Sequence, residues 1–147
     1  MKLLSINIKG LNDSPKRKGT FLKLEKQNAD IICLQEVHIK VQDQAYLQNK
    51  KLGKLYSSLA EEKKRGVVLY IKEEVNSKLI YDDILGRILM EVVIQNKKIL
   101  IVGIYAPNKN QNEFFKTLYE KLIEIGNPEI CIIGDYNSIS NINQDIN

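Results

Sequence analysis

Short apolar runs alternate along this chain with amphipathic segments, and that alternation constrains the fold more than any other feature of the sequence. The apolar runs have the length of β-strands, and the amphipathic segments have the apolar spacing of helices. A regular exchange of the two patterns is typical of α/β proteins, in which helices cover a sheet. With 147 residues and 44% apolar content, the chain fits one domain of this class.

The same pattern predicts where the individual helices and strands lie. Ser14 as a cap and Pro15 in the first position begin a helix over residues 16–27. Asn110 begins a second helix with Glu113 as its capping-box partner, and Gly126 ends it. A less regular helix is predicted over residues 42–50. Strands are predicted over residues 3–8, 31–34, 55–59, 67–71, 87–94, 98–105 and 129–133.

Polar residues interrupt or follow the apolar runs at the carboxyl ends of four predicted strands. In open α/β sheets, ligands bind outside the carboxyl ends of the strands. If these strands are neighbours in space, their polar side chains form one oxygen-rich site. The residues concerned are Asn7, Glu36, Tyr105, Asn108, Asp135 and Asn137.

Side chains of this kind suit a hard divalent cation. Mg²⁺ prefers oxygen ligands, keeps several waters and commonly uses one or two carboxylates together with substrate phosphate oxygens. Glu36 and Asp135 can supply the carboxylates, and Asn7 and Asn137 can orient them or a phosphate by hydrogen bonds. A cation bound there would neutralise charge on a phosphoryl group and activate a water.

Four ordered motifs at these residues resemble those of the endonuclease/exonuclease/phosphatase superfamily. They are N-I-K-G-L-N from Asn7, L-Q-E ending at Glu36, Y-A-P-N from Tyr105 and G-D-Y-N from Gly134. Asn12, the Q-E-x-H histidine His38 and the Y-A-P-N wording look most like the endonuclease domain of non-LTR (LINE-type) retrotransposons. Apurinic/apyrimidinic endonucleases and exonuclease III are the next nearest relatives.

The resemblance implies a deoxyribonuclease I-like fold and a reaction. The fold class is α/β, a two-sheet sandwich with flanking helices, of which this chain would form the N-terminal portion. The reaction is in-line hydrolysis of a DNA phosphodiester, with one or two Mg²⁺ ions as cofactor and Mn²⁺ as the alternative ion.

The resemblance also assigns roles to single residues. Glu36 would be the principal metal ligand with Asn7 beside it, and Asp135 would position or deprotonate the attacking water. Asn137 would bind the scissile phosphate, and Tyr105 would hydrogen-bond the phosphate or its leaving group. Asn12 and Asn108 would contact the substrate.

The chain departs from the superfamily pattern at its C-terminal side. Family members place a further Asp and an S-D-H motif well beyond G-D-x-N, whereas this sequence has ten residues after Asn137, and its single histidine is His38. We therefore expect residues 1–147 to form one C-terminally incomplete domain. Its inner sheet face would lack a partner sheet, so that the chain would self-associate or bind a complementing C-terminal fragment.

Three functions remain open on this basis. The first is Mg²⁺-dependent endonucleolytic hydrolysis of DNA of the retrotransposon type. The second is a non-catalytic truncated remnant that at most binds metal or nucleic acid weakly. A phosphomonoesterase or phosphoinositide phosphatase is the third, and the Y-A-P-N and Q-E-x-H wording disfavours it.

The remaining features of the sequence are less specific. The net charge of +4 permits a polyanionic partner such as DNA but does not demonstrate one. The basic residues 63–65 fit either a solvated hairpin tip or a contact with a DNA backbone. Residues 81–83 contain a second carboxylate pair, which fits a loop better than a second metal site. Cys33 and Cys131 lie in apolar runs and are expected to be free thiols. With no signal peptide or membrane-spanning segment in the sequence, we expect a soluble, intracellular protein.

Overall fold

The computed structural model describes residues 1–136, which form eight strands, two α-helices and a short 3₁₀ segment. The N-terminal part contains β1 (Leu3–Asn7), α1 (Ser14–Gln27), β2 (Ile31–Gln35), the 3₁₀ segment (Val41–Leu47), β3 (Lys54–Ser58) and β4 (Val67–Ile71). The C-terminal part contains β5 (Asn76–Asp82), β6 (Arg87–Ile94), β7 (Lys97–Tyr105), α2 (Gln111–Ile125) and β8 (Ile130–Asp135).

The strands form two four-stranded mixed sheets. The first has the order β1-β2-β4-β3 and the second the order β5-β6-β7-β8. Only β1–β2 and β7–β8 are parallel, and the other pairs are antiparallel. Each parallel pair is joined by a helical crossover, α1 in the first sheet and α2 in the second, because parallel neighbours need a long connection.

The two sheets pack face to face with one helix on each outer side. Leu24 of α1 is buried against the outer face of the first sheet, and Phe114, Leu118 and Leu122 of α2 are buried against the second. Between the sheets lies a third cluster, built from β2 and β4 on one side and β6 and β7 on the other. The α/β, two-sheet sandwich with flanking helices is thus confirmed.

The expectation that the inner sheet face lacks a partner is wrong for the described residues. The strands after residue 75 do not extend the first sheet, and instead form the second sheet, whose inner face covers the first. The contact is close. A Cβ added to Gly103 in β7 would lie 3.1 Å from the Cδ2 atom of Leu69 in β4.

Several local predictions also need correction. The cap of α1 is Asp13, whose carboxylate accepts the Lys16 N–H at 3.0 Å, and Ser14 is the first helical residue. The predicted capping box at Asn110 is absent, because Asn110 has a left-handed backbone (φ 58°) and its side chain makes no capping hydrogen bond. In place of the helix predicted over 42–50 there is the 3₁₀ segment.

Residues 81–83 are not a simple loop. Tyr81 and Asp82 belong to β5, an edge strand that the sequence pattern did not reveal. Asp83 follows the strand and accepts the Nε–H of the buried Arg87 at 2.7 Å. The carboxylate therefore neutralises a buried guanidinium and is not part of a second metal site.

Both cysteines are free thiols, as predicted. Cys33 is fully buried between the sheets, and burial raises the pKa of its thiol to about 12. No helix within residues 1–136 has both the length and the apolar composition to cross a membrane.

Candidate active site

Four of the predicted site residues meet at one end of the sandwich. Asn7 ends β1 and Glu36 follows β2 in the first sheet, while Tyr105 ends β7 and Asp135 ends β8 in the second. Tyr105 and Asp135 are partners in the parallel β7–β8 register, so their side chains leave the sheet on the same face. Carboxyl ends of strands from both sheets therefore form the site.

A hydrogen bond between the two sheets joins Asn7 to Asp135. Nδ2 of Asn7 donates to a carboxylate oxygen of Asp135 at 2.9 Å. Oδ1 of Asn7 accepts the backbone N–H of Lys9 at 3.2 Å, which sets the orientation of the amide. Asn7 thus holds the Asp135 carboxylate in one position.

Glu36 lies in a segment whose backbone is bound on both sides. The Gly10 N–H donates to the Glu36 carbonyl at 2.7 Å, and the Val37 N–H donates to the Gly66 carbonyl at 3.3 Å. Glu36 itself has a left-handed backbone (φ 55°), which ends β2 and turns the residue out of the strand geometry. Its side chain is 27% exposed, so solvent and ligands can reach the carboxylate.

Tyr105 lies between the two carboxylates and is 9% exposed. Burial raises the pKa of its hydroxyl to about 12, the charge of Glu36 and a hydrogen bond to it add to this effect, and Asp135 adds a smaller one. The nearby Arg65 guanidinium opposes this rise. Since both carboxylates affect one hydroxyl, Glu36, Tyr105 and Asp135 form a single electrostatic unit.

Two glycines allow other segments to approach β7 at the site. A Cβ on Gly134 (φ 135°) would lie 1.9 Å from the Ile104 carbonyl oxygen, and one on Gly86 (φ 101°) would lie 2.4 Å from the Tyr105 carbonyl oxygen. Gly86 accepts the Tyr105 N–H at 2.9 Å, and the Ala106 N–H donates to the Asp135 carbonyl at 2.8 Å. Gly134 lies within β8 and permits the close contact of this strand with β7.

The other predicted residues take different places. Nδ2 of Asn12 donates to the His38 carbonyl, so Asn12 fixes the segment that carries Glu36. The exposed Asn108 lines an opening beside Tyr105. Nε2 of His38 lies 3.9 Å from a Glu36 carboxylate oxygen. Asn137 lies outside the described residues.

Sequence reasoning missed two residues of this region. The sequence around Gly86 does not indicate its role, because a close contact with a distant strand leaves no local pattern. Arg65 was left undecided within a basic run, and its guanidinium lies 6.0 Å from the centre of the Tyr105 ring. The signal that could have pointed to Arg65 is its position directly before Gly66 and the buried strand β4.

The donor set can be tested against a divalent cation. Within residues 1–136, no three or more His, Cys, Asp or Glu side chains are grouped to hold a metal ion. The carboxylates of Glu36 and Asp135 nevertheless converge on one hydroxyl, with the Asn7 amide beside them. Two carboxylates fit Mg²⁺, which is commonly held by one or two of them and completes its shell with water and substrate oxygens.

The sequence of the chain matches the model of the endonuclease/exonuclease/phosphatase family over residues 4–142. The chain therefore belongs to this family, and its fold is the deoxyribonuclease I-like fold of the structures that it matches. As its name says, this family comprises nucleases and phosphatases, which are enzymes that hydrolyse phosphate esters.

Several solved structures are similar to this chain, among them the following three. The endonuclease domain of TRAS1, a telomere-specific non-LTR retrotransposon, matches with a TM-score of 0.67 at 12% identity, covering 92% of this chain and 58% of that one. TDP2 from D. rerio, complexed with a single-strand DNA product, matches with 0.61 at 19% identity, covering 93% and 60%. The 3'-5' exonuclease NExo of Neisseria meningitidis matches with 0.66 at 20% identity, covering 93% and 58%. The chain thus spans about three fifths of these structures.

Proposed function

We propose that this protein hydrolyses DNA phosphodiester bonds with the help of a divalent cation, Mg²⁺ or alternatively Mn²⁺, and that it acts as a retrotransposon-type endonuclease. The observation that carries the proposal is the convergence of Glu36, Asp135 and Tyr105 at the carboxyl ends of strands from both sheets. The similarity to a retrotransposon endonuclease domain and to a protein crystallised with a DNA product supports DNA as the substrate.

Glu36 is the proposed principal metal ligand. Its carboxylate is accessible, and the backbone hydrogen bonds around it fix its direction before any ligand arrives. Asn7 is the proposed second residue at the metal, and the hydrogen bond to Asp135 holds its side-chain amide at the site. A bound divalent cation would neutralise negative charge on the phosphate and lower the pKa of a bound water.

Asp135 is the proposed group that positions the attacking water. The Asn7 amide donates to a carboxylate oxygen of Asp135 and so fixes the orientation of the carboxylate at the end of β8. A carboxylate held in this way can accept a hydrogen bond from a water and direct it toward the phosphate. The neighbouring Asn137 is proposed to bind the scissile phosphate.

Tyr105 is the proposed hydrogen-bond donor to the phosphate or to its leaving oxygen. A hydroxyl with its pKa raised to about 12 is protonated at neutral pH and can donate. The hydroxyl is buried close to the Glu36 and Asp135 carboxylates, at the place where the phosphate is proposed to bind. Asn108 at the adjoining opening and Asn12 beside the Glu36 segment are the proposed further substrate contacts.

A plasmid-nicking assay with added Mg²⁺ or a chelator tests this function. We expect nicking that needs the metal and falls by about 10²- to 10⁴-fold in Glu36→Gln and Asp135→Asn. Glu62→Gln is the matched control, because Glu62 is exposed and, among the described residues, forms its ion pair with Lys64. Equal nicking by wild type and both variants would refute the assigned roles. Wild-type protein without metal-dependent nicking would favour the non-catalytic remnant.

A further inference from the structure

We propose that Arg65 and Lys109 bind a second backbone phosphate of a nucleic-acid strand, so that the site recognises a polymer and not an isolated phosphate ester. This inference rests on the proposed function, since the second phosphate lies next to the one at Tyr105. Arg65 is one of the basic residues 63–65, whose sequence fits either a solvated hairpin tip or a contact with DNA. The inference assigns Arg65 to the second of these roles.

Arg65 and Lys109 line a cleft that opens beside Tyr105. The cleft has a volume of about 390 Å³, and we call it the Arg65 cleft; its lining residues are Arg65, Tyr105, Pro107, Asn108, Lys109 and Asn110. A smaller cleft of about 270 Å³ adjoins it and shares Arg65 and Lys109. A strand with one phosphate at Tyr105 can therefore continue along a surface that carries two cations.

Neither cation is neutralised by a carboxylate within residues 1–136. The ion pairs of this part of the chain involve other basic residues, for example Arg87 with Asp83. The Arg65 guanidinium has one long hydrogen bond, to the Leu85 carbonyl at 3.5 Å, and it faces the Tyr105 ring. Most of its donors thus remain for a ligand. Glu113 lines only the adjoining cleft.

The backbone around Arg65 ties the cleft to the metal-binding side of the site. The Arg65 carbonyl accepts the His38 N–H at 2.9 Å, and the next carbonyl, of Gly66, accepts the Val37 N–H. These bonds join the Arg65 segment to the residues directly after Glu36. The distance between the proposed metal ligand and the arginine is therefore set by the fold before the substrate binds.

The chemistry of the cleft fits a phosphodiester backbone. A guanidinium matches two phosphate oxygens with parallel N–H donors, and a lysine adds a charge without demanding one geometry. A phosphomonoester has a single phosphate, which the Glu36 side of the site would take, and it leaves the Arg65 cleft empty. Occupation of both positions therefore needs a strand with at least two phosphates.

The test compares the double variant Arg65→Gln/Lys109→Gln with Lys23→Gln/Lys26→Gln. The control pair removes the same charge from exposed positions on α1, and neither lysine has an ion pair with another residue of the 1–136 range. Binding of a labelled single-stranded DNA oligonucleotide is measured by fluorescence anisotropy in chelator at several salt concentrations. We expect the Arg65→Gln/Lys109→Gln variant (the site variant) to bind at least about tenfold more weakly than the control. Loss of one phosphate contact should also reduce the slope of log K against log salt by about 0.7 relative to the control.

A second measurement separates recognition from chemistry. Bis(p-nitrophenyl) phosphate is a diester with one phosphate, so the site variant should lose much less of its hydrolysis than of oligonucleotide hydrolysis. Hydrolysis of the oligonucleotide should fall at least about tenfold. Oligonucleotide binding equal to that of the control, or an equal loss on both substrates, would overturn the inference.

The outcomes also distinguish this inference from the proposed function. If the wild type nicks plasmid but the site variant binds and cleaves like the control, the function stands and the inference fails. In the opposite case the wild type has no metal-dependent turnover, and the site variant binds the oligonucleotide more weakly than both the wild type and the control variant. The inference then stands and the function fails. Thermal unfolding of all variants confirms that they fold.

Discussion

Tyr105 is the residue whose titration reports most directly on the geometry of the site. Its hydroxyl is buried and lies near Glu36 and Asp135, and these neighbours all favour the neutral form. Arg65 is the one nearby group with the opposite effect on the pKa. The pKa of about 12 for the Tyr105 hydroxyl is thus a consequence of its burial and of the carboxylates that the strand ends of both sheets bring close to it.

This elevated pKa predicts a pH dependence of stability. The folded-state pKa of about 12 lies above the ordinary value of 10.0, so between these values the unfolded state binds fewer protons than the folded state. The free energy of unfolding should therefore be independent of this group below pH 10 and fall as the pH rises toward 12. Urea unfolding at several pH values should show a smaller fall in Tyr105→Phe, and an equal fall in both proteins would contradict the account.

The sequence identifies the residues of the site only where they follow a strand. Asn7, Glu36 and Asp135 each come at the end of an apolar run, which is a local signal. Arg65 and Gly86 reach the site because the segments before β4 and β6 approach β7 in three dimensions. Contacts between distant segments leave no spacing pattern, so the sequence contains no signal for Gly86. For Arg65 the sequence offers only its position directly before Gly66 and β4.

At the scale of single elements, the position of Asp135 depends on the glycine that precedes it in β8. Gly134 has a φ of 135°, and a Cβ added to it would lie 1.9 Å from the Ile104 carbonyl oxygen, so both its backbone and its surroundings exclude a side chain. The strand therefore depends on one residue for its register next to the site.

Gly134→Ala should lower the free energy of unfolding by at least about 2 kcal/mol, because the added methyl group must displace a neighbouring backbone. The matched control is Gly19→Ala in α1, where nothing lies within 4 Å of the added Cβ. There the removal of glycine from a helix should raise the free energy of unfolding by about 0.5–1 kcal/mol. Urea denaturation measures both changes, and equal effects would contradict the close strand contact.

The sequence pattern predicts buried elements better than exposed ones. β2, β4 and much of β6 and β7 are continuous apolar runs, and the structure buries them. β5 is an edge strand with exposed polar residues, so it lacks the signal on which the prediction depended. The bounds of α2 were predicted correctly, with Asn110 as N-cap and Gly126 as C-cap. The cap of α1 is Asp13 and not Ser14, and the capping box at Asn110 is absent because capping depends on backbone angles, as the left-handed Asn110 shows.

At the scale of the whole molecule, the order of the strands along the chain does not state which sheet each one joins. The first sheet ends with β4 and the second begins with β5, although no composition change separates them. The expectation of an uncovered sheet face failed for this reason. The resemblance carried by the family motifs nevertheless predicted the two-sheet sandwich correctly.

The packing of the two sheets brings Glu36 and Asp135 together at the proposed cation site. Binding of Mn²⁺, measured by electron paramagnetic resonance on the full chain, tests it without requiring turnover. We predict that the wild type binds Mn²⁺ and that Glu36→Gln binds it at least about tenfold more weakly, with Glu62→Gln unchanged. A wild type that binds no Mn²⁺, or a Glu36→Gln variant that binds it as tightly as wild type, would contradict the claim.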